Sequence, residues 1–177
     1  MAAPPVQADE GFLRKIFQQV DKDRSNAINA TELQACLSNG TWEPFNAETI
    51  KLMITMFDRS HKGQLNYEEF KQLWKYIEDW RQCFLSFDKD KSGYINKEEL
   101  KLALTTFGYQ LSDTFYDLLL VKFVKGGQVG RIYFDDFIQI CVSLQTITAA
   151  FRHHDTDSDG VITIKYEDFL KLIFSLR

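Results

Sequence analysis

Apolar residues in this chain recur at steps of three and four, in stretches interrupted by polar segments of nearly constant length. Leu13, Ile16, Phe17 and Val20 form one such stretch, and after a polar run the rhythm resumes at Leu33, Cys36 and Leu37. It recurs at Ile50, Met53, Ile54 and Phe57, then at Phe70, Leu73, Trp74 and Ile77. A third pair is Trp80, Cys83, Phe84 and Phe87, followed by Leu100, Ala103, Leu104 and Phe107. Tyr116, Leu119, Leu120 and Phe123 precede a fourth polar run, and Phe137, Ile140, Cys141 and Leu144 follow it. One-face spacing of this kind marks amphipathic helices. The pattern predicts an all-α chain of five tandem helix–loop–helix repeats.

The loops start at 21, 58, 88, 124 and 155, so the intervals alternate as 37, 30, 36 and 31 residues. In the short intervals a single helix must leave one loop and enter the next. Residues 70–87 and 137–154 contain neither Gly nor Pro and each predicts one continuous helix. The long intervals carry breakers, Gly40 and Pro44 in one and Gly108 in the other. The domain expected from this organisation spans 12–177, after a short flexible tail over 1–11.

The polar runs carry the chemistry. Residues 88–99 read DKDKSGYINKEE, with oxygen-bearing side chains at alternate places, Gly93 sixth and Glu99 twelfth. Calcium takes about six to eight oxygen ligands, and a loop of this design closes on a bidentate carboxylate at its twelfth position. The expected ligands are Asp88, Asp90, Ser92, the Tyr94 carbonyl and Glu99, with Asn96 reaching directly or through water. Residues 21–32 repeat the frame with Asp21, Asp23, Ser25, the Ala27 carbonyl, Asn29 and Glu32. There Asn26 stands where the turn glycine belongs, and Asn tolerates the left-handed region better than other side chains. These are the two main EF-hand calcium sites the sequence predicts, the third loop the better of them.

The other loops depart from the frame. In 58–69, Lys62 puts an ammonium where an oxygen should point, so this loop is expected to be structural. The fourth copy, 124–136, fits thirteen residues into the space of twelve, and its opening VKGGQVG has no carboxylate. In 155–166, Asp155, Asp157, Asp159 and the Val161 carbonyl suit a cation, but Tyr166 replaces the closing carboxylate. Weak calcium binding is expected there, or magnesium with retained waters. His153 and His154 read as a solvated pair at a helix end, with zinc the alternative.

EF-hand loops pair through a short antiparallel bridge at their eighth residues. Ile28 can meet Leu65 and Ile95 can meet Ile132, which leaves Ile162 without a partner in the chain. An unpaired edge beside an apolar helix invites a second chain. A dimer through Ile162, Phe169, Leu170, Ile173 and Phe174, homomeric or heteromeric, is therefore expected.

Composition narrows the function classes. A net charge of −4 argues against nucleic acid as a partner. No apolar run is long enough to span a bilayer, and Met1–Gly11 reads as neither signal peptide nor myristoylation site. Cys36, Cys83 and Cys141 are too few and too scattered for a disulfide framework and are expected as buried, reduced core thiols in a cytoplasmic or nuclear protein. Two bound calcium ions would bring the chain near neutrality, which favours association and calcium-dependent membrane adsorption. Phe is frequent at 15 residues and Met rare at 3, so an exposed binding surface would be aromatic. Trp42, Trp74, Tyr76, Trp80, Phe107 and Tyr109 are its candidates, as pocket or as core. Aromatic-lined grooves suit extended Pro-rich segments.

Five hands, alternating intervals and an unpaired last loop resemble the penta-EF-hand family over roughly residues 11–177. LSNGTW (37–42), WKYIEDW (74–80), FGYQLSD (107–113) and FDDFIQ (134–139) carry the resemblance, as does the twelve-residue first loop. Gln110, where relatives have Arg, and the extra residue of the fourth loop depart from it. The resemblance implies an adaptor without enzymatic activity, whose first and third hands are its main calcium sites. It would take Pro-rich segments of partners in membrane trafficking, endosomal sorting and repair, with recruitment to endosomes, endoplasmic reticulum exit sites or nucleus. A calcium buffer, or a regulatory subunit of a calcium-activated protease, are the alternatives.

Overall fold

The computed structural model describes residues 10–37, 45–124, 130–157 and 159–175. Among these residues, eight helices and one two-stranded sheet follow in the order α1 (Glu10–Val20), β1 (Ile28–Asn29), α2 (Ala30–Cys36), α3 (Ala47–Phe57), β2 (Gln64–Leu65), α4 (Tyr67–Phe87), α5 (Lys97–Thr106), α6 (Asp113–Phe123), α7 (Phe134–His154) and α8 (Tyr166–Ser175). Each loop thus lies between two helices, as the periodicity predicts. α1 already includes Glu10 and Gly11, which the sequence reading assigned to the tail. Glu10 sits in the first helical turn, where a carboxylate complements the helix dipole, and pairs with Arg14 at 3.2 Å. The breakers Gly40 and Pro44 lie outside the described residues, while Gly108 adopts φ +91° just after α5.

Both predicted continuous helices are present, α4 and α7 at 21 residues each. Each leaves one hand and enters the next. The helices that leave loops 1, 2 and 3 begin with the same device. Asn29, Asn66 and Asn96 cap α2, α4 and α5 by accepting the amide N–H of Glu32, Glu69 and Glu99, whose carboxylates accept the cap residue's own N–H in return. Such a cap is worth about 1 kcal/mol to a helix.

The loops pair as expected. Ile28 lies opposite Leu65 in an antiparallel register, and Ile95 forms a bridge with Ile132 through bonds of 2.8 and 2.9 Å. All four side chains have no exposed surface. Ile162 is half-buried, and no bridge involves it among the described residues. Around these pairs one core runs through both halves of the chain. Phe17, Phe45, Phe70, Leu73, Phe84, Leu104, Tyr116 and Phe137 are all buried in it. Aromatic rings tie its layers together edge to face: Phe84 meets Phe134 and Phe137, and Trp80 meets Phe137. Edge-to-face pairs satisfy the ring quadrupoles as well as burying area.

The thiols differ from the expectation of three core residues. Only Cys141 is buried, and desolvation pushes its pKa far above the ordinary thiol value. Cys36 and Cys83 are half-buried, each still shifted upward by burial. Both stand at the margin of the helix face, where the 3.6-residue period alternates between covered and open positions. No helix among the described residues is long and apolar enough to cross a membrane.

Candidate metal centres

Three carboxylate clusters stand out among the described residues: Asp21, Asp23 and Glu32; Asp88, Asp90 and Glu99; and Asp155, Asp157 and Asp159. Within each, one ligand atom per residue lies within 4.8 Å of the others. They are the first, third and fifth loops.

Local backbone geometry builds the first and third clusters. Arg24 and Lys91 take φ +58° and +57°, and Asn26 and Gly93 take +60° and +83°. Two left-handed residues within three curl the chain around the first aspartate. Asp21 accepts the Asn26 N–H at 2.9 Å, and Asp88 the Gly93 N–H at 3.0 Å. Asn26 therefore does the work of the missing glycine, at the cost of a side chain in a sparsely populated region. Ser25 and Ser92 hold the carboxyls of Asp23 and Asp90 below their ordinary values through side-chain and backbone hydrogen bonds. The Ser25 hydroxyl lies 3.0 Å from the Ala27 carbonyl, and that of Ser92 lies 2.9 Å from the Tyr94 carbonyl. Thus the oxygens expected as fifth and seventh ligands already face one another.

The closing glutamates are buried. Glu32 accepts the N–H groups of Lys22 and Asn29, at 2.9 and 3.1 Å, and Glu99 those of Lys89 and Asn96 at the same distances. Each carboxylate therefore reaches back across its loop to the second residue. The donor set is all oxygen, hard and mostly anionic, which fits calcium or magnesium rather than a soft metal. The sequence reading missed that Asn29 and Asn96 serve as helix caps; the Asn-x-x-Glu spacing carries that signal.

The second loop has the same closure without a cluster. Asp58 accepts the Gly63 N–H at 2.6 Å, and Glu69 accepts the N–H groups of Arg59 and Asn66. Lys62 points into solvent. In the fourth loop, residues 125–129 lie outside the described residues, and its closing carboxylates Asp135 and Asp136 are buried against another helix. In the fifth loop Asp155 accepts the Gly160 N–H at 3.1 Å. Its other oxygen, Oδ1, is buried with no hydrogen-bond partner among the described residues, the kind of orphaned acceptor a cation would satisfy. Tyr166 is 77% exposed, and Glu167 turns outward to Lys171 at 3.0 Å, so neither closes that loop. His153 and His154 are exposed and meet edge to face.

The three aromatic candidates on α4, Trp74, Tyr76 and Trp80, divide between two of its faces. Tyr76 and Trp80 stack edge to face, and Trp80 and Phe87 each meet Phe107, which is 38% exposed. Tyr109 is half-buried. Trp74 lies on the other side, where it lines a cleft of about 380 Å³ with Cys36, Leu37, Phe45, Ile77 and Phe84. Trp42 lies outside the described residues.

Two matches to a family model describing an EF-hand domain pair cover residues 12–75 and 77–142. Among curated proteins, sorcin of Schistosoma japonicum is 44% identical over 168 residues, 95% of this chain and 97% of sorcin. The chain belongs to the penta-EF-hand family. Peflin of Xenopus laevis is 40% identical over 169 residues, 96% of this chain but 59% of peflin. This penta-EF-hand chain thus spans less than two thirds of the length of that relative. A solved structure of a homologue of programmed cell death 6 protein from Leishmania major superposes with TM-score 0.80 at 30% identity, covering 93% of this chain and 94% of the other. The family and the oxygen clusters together make this a calcium-binding penta-EF-hand protein.

Proposed function

We propose that the chain is a calcium sensor and adaptor whose first and third hands are its main calcium sites. Asp21, Asp23, Ser25, Ala27 and Glu32 would hold one ion, and Asp88, Asp90, Ser92, Tyr94 and Glu99 the other. Asp155, Asp157, Asp159 and the Val161 carbonyl would form a weaker third site, open to magnesium because it lacks a closing carboxylate. The observation that carries the sensor reading is the reach of the helices that the closing glutamates begin. Glu32 opens α2, whose far end supplies Cys36 and Leu37 to the cleft beside Trp74. Glu99 opens α5, whose C-cap is Phe107, in contact with Trp80 and Phe87. A movement of either glutamate is therefore delivered to an aromatic surface. A buffer would have no use for that link.

These aromatic surfaces suit Pro-rich segments of trafficking, sorting or repair partners. Calorimetric titration with calcium, then with a Pro-rich peptide, tests the reading. Two tight sites per chain are expected, with peptide heat only when calcium is present. Equal peptide heat in chelator would overturn the sensor reading, and tight sites with no peptide heat would favour a buffer.

The fifth hand supplies a dimer surface in the same reading. Phe169, Ile173 and Phe174 are 44%, 40% and 65% exposed on α8, beside half-buried Leu170 and Ile162. A second penta-EF-hand chain, offering the same unpaired edge, would cover them. Ile173→Asp with Phe174→Asp should convert a two-chain species into a single chain in sedimentation equilibrium. An unchanged mass would place any dimer elsewhere. A calcium-loaded dimer, near neutral in charge, would bridge two partners and be drawn to membrane surfaces such as endosomes, endoplasmic reticulum exit sites or the nucleus.

A further inference from the structure

Asp135 and Asp136 stand where the fourth hand would close on an ion, yet they face the first half of the chain. Asp135 accepts the backbone N–H of Asn46 at 2.9 Å. The Asn46 side-chain amide lies 3.4 Å from Asp135, 3.4 Å from Asp136 and 3.3 Å from the Gln139 carbonyl oxygen, two N–H donors shared among three acceptors. Gln139 in turn donates to Glu48 at 3.4 Å. Asn46 caps α3, accepting the Thr49 N–H at 2.8 Å and the Thr49 hydroxyl at 2.9 Å. Asp135, Asp136, Gln139 and Thr49 are all buried, and the partners are separated by 89 to 93 residues. Asp135 Oδ1 is buried without a hydrogen-bond partner among the described residues, and the donors of Asn46 satisfy its other oxygen.

We infer that this cluster is a latch that couples the third and fourth loops to the first half of the molecule. On one side, Ile132 is bridged to Ile95 of the third loop and lies two residues before α7, whose first turn holds Asp135 and Asp136. On the other side, Asn46 starts α3, and its neighbour Phe45 meets Phe134 edge to face at 5.7 Å and lines the cleft beside Trp74. Gln34 of α2 donates to the Phe45 carbonyl at 2.7 Å, which ties the cap to the helix that Glu32 begins. The path from Glu99 to Glu32 therefore runs through bonded or bridged groups at every step. The fourth hand has exchanged an ion for a contact between halves. Asn46 and Asp135 are positioning residues: neither belongs to the proposed ion sites.

The inference rests on the proposed calcium sites in loops 1 and 3, and its test reads calcium affinity alone, with no peptide. In the full-length chain, first-loop occupancy is followed through the Asn26 amide resonance during a calcium titration. Disabling the third loop by Glu99→Gln should weaken the first loop by at least about twofold, the lower end for residues joined in one network. In Asn46→Ser, which keeps a helix cap but removes both amide donors, the same Glu99→Gln change should leave first-loop affinity unaltered. With the first loop disabled by Glu32→Gln in both, third-loop affinity in Asn46→Ser should match that of the parent, a readout that shows the fold intact. A Glu99→Gln effect that persists at full size in Asn46→Ser overturns the latch, and so does its absence from the parent. Should Pro-rich peptides fail to bind while the coupling stands, the adaptor reading falls and the latch does not.

Discussion

Glu99→Gln should lower the calcium affinity of the third loop by at least about 100-fold in calorimetry, while the first loop still binds. Losing only an outer-shell partner of a metal ligand costs about 10–100-fold. Glu99 is the expected closing ligand, and glutamine cannot offer two anionic oxygens. The carboxylate has a second role, since it also accepts the Lys89 and Asn96 N–H groups. The two roles separate through the second loop. Glu69 makes the matching bonds to Arg59 and Asn66 but stands in a loop without a carboxylate cluster. Glu69→Gln should therefore cost stability by about the worth of a cap and leave the calcium stoichiometry untouched. If Glu69→Gln removed a site, the second loop would have to be counted among the binding hands. If Glu99→Gln bound calcium as the parent does, the proposed ligand set would be wrong.

The largest loss of stability should come from Phe137→Ala. Phe137 has no exposed surface and meets both Trp80 and Phe84 edge to face. It joins α7 to the C-terminal half of α4, so the cavity left by alanine lies between two helices and cannot close by moving a loop. Truncation of a buried Phe costs about 3–5 kcal/mol. At about 2–4 °C per kcal/mol for a chain of this size, the melting temperature in chelator should fall by roughly 6–20 °C. Calorimetric melting of the calcium-free protein reads this directly. A change of under about 1 kcal/mol would mean that Trp80 and Phe84 collapse into the space.

Much of this architecture was legible because its signals are local and repeated. The one-face rhythm marks the helices around the first four loops, and the eighth-residue rule sets Ile28 opposite Leu65 and Ile95 opposite Ile132, as the fold has them. The oxygen frame pointed to the same three loops in which the clusters form. What stayed hidden depends on directions in space. Trp74 and Tyr76 are two residues apart on α4, and two residues of helix turn a side chain by more than half a revolution. The sequence grouped them as one surface, and the fold sends them to opposite ones. Asp135 and Asn46 were hidden for a different reason. Their contact joins positions 89 residues apart, and no periodicity in a chain announces which cap will meet which carboxylate. The half-buried state of Cys36 and Cys83 is the same kind of miss, because a position at the margin of a helical face is settled only by its neighbour.

α4 serves two hands at once, and its 21 residues make a rod about 31 Å long. At one end Glu69 fastens it to the second loop by accepting the Arg59 and Asn66 N–H groups, bonds that need no ion. At the other it runs into Asp88, the first residue of the third loop. A rod of that length turns each degree of tilt at one end into about half an ångström at the other. The second hand, which carries Lys62 where a fifth ligand would stand, would thereby take the part of a fulcrum against which a calcium-loaded third hand could pull.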